Sequence, residues 1–376
     1  MKYKTYNYAI NGLRGLCILM IFAFHVEHSR IIPDLNTSEM IDSIYEAFRY
    51  FIDSFKFGVE IFFMISGYVI IGSLHRHKTL LGFFRDRVIR IYPTWVPLHI
   101  LSFIGGPIIA RGIFEIYDPE LWTLSFFTNL FFLTPILPYP TVHPPTWSLC
   151  YEWFFYFISG FCAFILIQKQ KILKYVGIAL FCGLVLVMFN YFPRSIFFVP
   201  GVLLALYKDR FEIYKSYFVF PLASMVVFLL AWQATGADLA ERAVAGEQIV
   251  DWVFDGRIFY LLIAMIAGGY SFACVVFGQG YLSKILCHPL MQFFCNLSYA
   301  FYLWSPVMMM LMKMVAMKFI EPIAGIWIAI LFFAVTSFIL SVIVSWLNWV
   351  IIEKKFASYI KANWFNKNER VIKPAE

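Results

Sequence analysis

Apolar runs of about 20 residues recur along most of this chain, and few architectures accommodate that pattern. Hydrophobic residues make up 61% of the 376 positions and charged residues only 14%, against roughly 25% charged in an ordinary soluble domain. A soluble core cannot hide so much apolar surface, whereas a bilayer can. Within hydrocarbon every backbone N–H and C=O must be satisfied inside its own segment, so each run is expected to be an α-helix. The expected fold is therefore all-α, a polytopic integral membrane protein with spans near 9–27, 55–74, 91–110, 147–167, 172–191, 194–208, 216–233, 257–277, 288–316 and 323–352. These make about ten transmembrane helices. A further piece, Leu121 to Leu137, is bounded by Pro119 and the stretch PILPYPTVHPP. It is short for a span and reads as a re-entrant or interfacial helix. Residues 1–355 then form one transmembrane domain, and 356–376 a cytoplasmic C-terminal tail.

The formal net charge of +7 falls between apolar runs, so it reports topology and attraction to anionic membrane lipids, not nucleic acid. With the N-terminus inside, the inner segments carry 20 Lys and Arg and the outer segments nine, leaving Arg14 within a span. That asymmetry expects a multi-pass plasma-membrane protein with both termini cytoplasmic. The seven cysteines show no CxxC spacing and read as small apolar residues, with no metal framework. The first run contains Arg14 and lacks a small-residue cleavage site, so it is expected to stay attached as a span. Pro200-Gly201 and Gly268-Gly269 are expected to interrupt the regular backbone of their spans.

Ionisable groups within spans are costly and are candidates for function. Arg14 and His25 are eleven residues apart; at 100° per residue they share one helix face, about 16 Å apart along the axis. Snorkelling of Arg14 toward headgroups is the competing reading. The second span opens GVEIFFMISGY, with Glu60 near its outer end. Ser66 and Gly67 at mid-depth suit close helix packing or a thin ligand.

On the next inner loop, Arg87 and Arg90 are three residues apart, a spacing that can turn two guanidinium groups toward phosphates. Positive-inside anchoring also explains a basic loop. The fourth span begins HPPTWSLCYE, with Trp147 at its mouth and Ser148 stacked on Glu152 at i, i+4. A carboxylate entering a span needs a partner or a raised pKa, and either suits acid–base work. Because His25 ends the first span on the side where Glu152 begins the fourth, the two are expected to share an acceptor site. In the ninth span, NLSYAFYLWSP offers Tyr302 to a polar cavity or to an aromatic belt.

Taken in order, NGLRG, Arg14-x10-His25, GVEIFFMISGYVI, RVIRIYP, TWSLCYEWFFY and LSYAFYLW resemble the acyltransferase-3 family of membrane O-acyltransferases. The resemblance implies transfer of an acyl group, commonly acetyl, from cytoplasmic acyl-CoA to a hydroxyl of an extracytoplasmic glycan or lipid-linked saccharide, in a bacterial inner membrane. Acyl-CoA would be a co-substrate, with no cofactor tightly bound. It makes His25 the essential histidine and Arg14 its partner, Arg87 with Arg90 the basic loop pair, and Glu152 the Glu of the WSLxxE motif. Glu60, Ser66, Trp147, Ser148 and Tyr302 are expected to touch substrate. His25 could act as general base or carry the acyl group. The chain departs from the family pattern at Asn11, where Asp is common, at Trp153, where a second acid is common, and at Ser305, where His is common. The alternative function is a transporter or flippase of a lipid-linked glycan, which also uses buried charges. Assembly as an oligomer is compatible with either.

Overall fold

The computed structural model describes residues 7–29, 39–77, 79–109, 118–134, 136–137, 139–236, 249–278, 280–360 and 362–363. Most of the expected tail, and Arg30, Arg111 and Arg242 of the charge count, lie outside the described residues. Every described element is helical. The main helices are α1 (Tyr8–Glu27), α2 (Glu39–Asp53), α3 (Gly58–Arg76), α4 (Leu80–Ile109), α5 (Pro119–Leu130), α6 (Thr146–Leu166) and α7 (Lys171–Tyr191). They continue with α8 (Phe198–Leu206), α9 (Pro221–Ala234), α10 (Arg257–Val276), α11 (Gly280–Leu286), α12 (Pro289–Val315) and α13 (Ile326–Asn348).

Among the described residues, seven helical stretches are long and apolar enough to cross a membrane: Tyr8–Glu27, Ser43–Arg76, Leu80–Pro107, Thr146–Leu166, Lys171–Tyr191, Arg257–Val276 and Ile326–Ile360. Two other expected spans form shorter apolar helices, Pro193–Leu206 and Pro221–Ala234. Each starts at a proline, which has no N–H to give to the preceding turn and suits a first helical position. The Leu121–Leu137 run forms a helix only as far as Leu130. Asp118 caps that helix through Leu121 N–H at 2.6 Å.

The chain separates into two units, residues 1–80 with 147–295 and residues 81–146 with 296–376. In the first unit α3 and α8 cross at mutual glycines. A Cβ on Gly201 would lie 1.9 Å from the Met64 carbonyl oxygen, and one on Gly67 2.3 Å from that of Phe198. Small residues let helix backbones approach where no water-driven force operates, so Gly67 serves packing here. The expected interruptions at Pro200-Gly201 and Gly268-Gly269 do not occur: α8 and α10 run through them as regular helix. Proline near a helix start needs no preceding N–H partner, and the glycines are used for proximity instead.

In the second unit α4 carries Pro93, Pro97 and Pro107 yet continues for 30 residues. Tyr299 ties it to α12, donating its hydroxyl to the Ile91 carbonyl at 2.9 Å. One helix, α2, has no counterpart in the expected spans. Ile44, Phe48 and Phe51 stand exposed along it at i, i+4, i+7 spacing, the stripe of an amphipathic helix.

Candidate active site

The first helix is built to hold its polar residues in register. Asn7 caps α1 by accepting from Ala9 N–H at 3.1 Å and Ile10 N–H at 3.2 Å. Its amide also donates to the Val276 carbonyl at 2.9 Å, fixing the start of α1 to the end of α10. Gly12 lies against the Leu286 carbonyl, where a Cβ would approach to 1.9 Å. From that anchor α1 runs unbroken through Arg14 to His25 in its last turn, so the two side chains keep the shared face that an α-helix imposes.

The His25 end of α1 meets paired charges. Arg49 binds Glu27 at 2.8 Å, and Lys56 binds Asp53 at 2.8 Å. Gln233 also donates to Asp53, at 2.8 Å. The Phe24 ring lies 5.0 Å from the His25 ring and 5.2 Å from that of His28. Ligand atoms of Glu27, His28 and Asp53 lie within 4.8 Å of one another. Both acids are already held by cations, so the cluster is accounted for as an ion-pair network.

Deeper in the first unit, α3 and α6 present two carboxylates in different settings. Glu60 is fully buried and ion-paired with Arg194, itself only 7% exposed. The Arg194 guanidinium also lies over the Trp147 ring, 4.2 Å from its centroid, a cation–π contact strengthened by desolvation. In the charge count Arg194 stands among outer-segment residues; the structure buries it against Glu60, 134 positions away. Glu152 accepts hydrogen bonds from Ser66 at 3.0 Å and from the Tyr156 hydroxyl. Ser148 is buried one turn before it.

Register places this second carboxylate in depth. Gly58 sits against Cys17 and Ile21 of α1, and α3 runs opposite to α1. Ser66, eight residues on, is therefore about 12 Å further toward the Asn7 end, at the level of Asn11 and Arg14. Asn11 and Tyr68 indeed line one cavity. His25 lies about 20 Å along the axis from that level, and among the described residues no hydrogen bond joins it to Glu152. The structure thus gathers Glu152 with Ser66, and Glu60 with Trp147, while His25 stands in a separate layer.

The second unit holds the remaining candidates. Arg87 is buried, its guanidinium 5.7 Å from the Phe83 ring centroid, whereas Arg90 is exposed. Tyr302 is half-buried on α12. Around it runs a polar network that motif spacing did not single out. Asn348 donates to Thr94 at 3.0 Å and accepts from Trp304 at 3.4 Å. His143 Nε2 lies 2.9 Å from the Leu303 carbonyl; a carbonyl only accepts, so this nitrogen carries the proton. Burial pushes the His143 imidazole down to about 4, opposed by that carbonyl and reinforced by His99. His99 is fully buried, 5.2 Å from the Trp95 ring. The intramembrane-charge criterion that selects His25 could have found His99. His143 lies in a proline-rich loop, where no such signal operates.

Two comparisons bear on identity. The family pattern described as an acyltransferase domain matches residues 7–346. The acyltransferase MdmB of Streptomyces mycarofaciens is 27% identical over 157 residues, a stretch covering 39% of this chain and 37% of that protein. The chain thus matches well under half the length of that relative. No solved structure matches. With nearly all of its spans and every candidate residue inside the matched region, the chain belongs to the acyltransferase-3 family.

Proposed function

We propose that the protein is a membrane O-acyltransferase that takes an acyl group, acetyl most readily, from cytoplasmic acyl-CoA and places it on a hydroxyl of an extracytoplasmic glycan or lipid-linked saccharide. The observation that carries this reading is the family match from residue 7 to residue 346. The unbroken α1 supports it, because it keeps Arg14 and His25 on one helix face. In this reading ten segments cross a bacterial inner membrane, with both termini cytoplasmic, as the Lys and Arg asymmetry suggests.

His25 deprotonates the acceptor hydroxyl or carries the acyl group transiently; a neutral imidazole suits both tasks. Arg14 lies beside the donor arm, and Arg87 with Arg90 attracts donor phosphates. Glu152, tied to Ser66 and Tyr156, acts at the depth of Arg14 by holding α3 and α6 around the passage. Glu60, Trp147, Ser148 and Tyr302 contribute to the acceptor side. Transfer forms an ester and releases CoA with its thiol protonated, the proton coming from the acceptor hydroxyl.

Mass spectrometry of envelope glycans and lipids from cells with and without the gene tests this reading. A mass increment of one acyl group on a saccharide, lost on deletion and restored by the wild-type gene, is expected. Unchanged acylation together with an altered distribution of a lipid-linked glycan across the membrane would favour a flippase.

A further inference from the structure

We infer that a basic cavity in the first unit holds the phosphoadenosine head of the acyl-CoA donor. The inference rests on the acyl-CoA reading above and assigns residues that the sequence motifs leave out. The cavity has a volume of about 1020 Å³ and lies at the Asn7 end of α1, between that helix and the ends of α3, α8 and α10. Arg76, Lys208 and Lys284 line it, and none of the lining residues is acidic. Among the described residues these three cations have no ion-pair partner. Three like charges converging on a concave site repel one another and focus a positive potential there, an arrangement stabilised by an anion of several charges.

Its chemistry suits a nucleotide carrying phosphates. Arg76 supplies a planar fork for phosphate oxygens, while the two lysines act as mobile point charges. Tyr68 and Phe277 add aromatic surface beside them, as a purine ring requires. The volume is at the upper end of the range of about 300–1,000 Å³ for small-molecule sites, large enough for a nucleotide and part of its arm. Asn11 lines the same cavity and sits one turn below Arg14 on the α1 face that leads to His25. The acyl-carrying arm of CoA runs about thirteen bonds from diphosphate to sulfur, or about 15 Å at the advance of an extended chain. Arg14 and His25 are about 16 Å apart along the helix. Asn11 is the α1 lining residue nearest His25, about 21 Å away along the axis, so from a diphosphate at that level the extended arm carries the thioester about 15 Å of that distance toward His25.

An anionic lipid headgroup offers related phosphate chemistry, so the test separates the two. Full-length protein in nanodiscs of phosphatidylcholine alone is titrated with CoA, dephospho-CoA and pantetheine, for wild type and for Arg76→Gln, Lys208→Gln and Lys284→Gln. These cations are exposed or half-buried, so the variants should fold; a thermal melt checks this. Each substitution should weaken CoA binding roughly five-fold and leave pantetheine unaffected. At least one should also abolish the preference for CoA over dephospho-CoA. Wild-type CoA affinity in all three folded variants overturns the cavity assignment and leaves the acyl-CoA reading standing. Absence of CoA binding to wild type overturns both. If the substitutions leave CoA binding intact and weaken only phosphatidylglycerol binding, titrated in separate nanodiscs, the cavity is a lipid site.

Discussion

The two units differ in the charges that they bury. In the first, a buried acid and base are matched across helices, Glu60 with Arg194, and half-buried Glu152 is held by Ser66 and Tyr156, among buried neutral groups such as Ser195, Thr235 and Ser271. In the second, most deep polar residues are neutral: His99, His143, Thr94, Asn348 and the serines of α13 at 337, 341 and 345. Among its described residues, Arg87 is the buried cation there. Neutral groups hold helices together at modest cost, whereas buried charges are expensive unless each has its partner. The first unit is therefore where charge chemistry is concentrated, and the second reads as a hydrogen-bonded frame around α4, α12 and α13.

Breaking the charged pair should have the largest effect on stability. Arg194→Met strands Glu60 and should cost about 3–5 kcal/mol, read as a lowered midpoint of thermal unfolding in detergent. Adding Glu60→Gln should restore much of the loss, since both charges are then gone. If the double variant is no better than the single one, the pair is not the source of the cost.

A smaller loss is expected at the α3–α8 crossing. A methyl group on Gly201 meets the Met64 carbonyl, and overpacking of this kind costs about 1–3 kcal/mol. Gly183, where an added Cβ meets nothing within 4 Å, is the control; Gly183→Ala should leave the melt unchanged or raise it. In the second unit, Asn348→Leu removes the hydrogen bonds to Thr94, Trp304 and half-buried Glu353. At about 1 kcal/mol for each net bond lost, it should destabilise less than Arg194→Met. A reversal of that order would contradict the contrast between the units.

The smallest effect separates the units by pH. The folded state holds His143 neutral, with its pKa lowered to about 4 by burial, against about 6.5 in the unfolded chain. The unfolded chain therefore binds the extra proton between those values. The His143 contribution is complete above pH 6.5 and is lost as pH falls toward 4. By pH 5.5 the loss is about 1 kcal/mol. His143→Gln should flatten this segment of the stability profile; an equally steep fall in the variant would place the titration elsewhere.

The spans with continuous apolar composition were legible in the sequence. The expected 9–27, 147–167 and 172–191 correspond to Tyr8–Glu27, Thr146–Leu166 and Lys171–Tyr191. Hydropathy alone passes over α2, because Asp42, Glu46 and Arg49 interrupt its apolar stripe and only a 3.6-residue period reveals it. Arg14 and His25 stood out because charge in a span is rare. The partner of Glu60 did not, since Arg194 lies 134 residues away in a segment that reads as a polar turn. Depth was misjudged for Glu152: its position near the start of α6 suggested the His25 layer, but the opposed run of α1 and α3 brings its Ser66 partner to the Arg14 layer.

The central claim is that the face of α1 ending in His25 carries acyl transfer. The most direct measurement is release of free CoA from acetyl-CoA by purified wild type and His25→Ala in the presence of envelope glycan, with a thermal melt confirming that both are folded. Acceptor-dependent CoA release by wild type, abolished in folded His25→Ala, is the expected result. Near wild-type release by His25→Ala would contradict it.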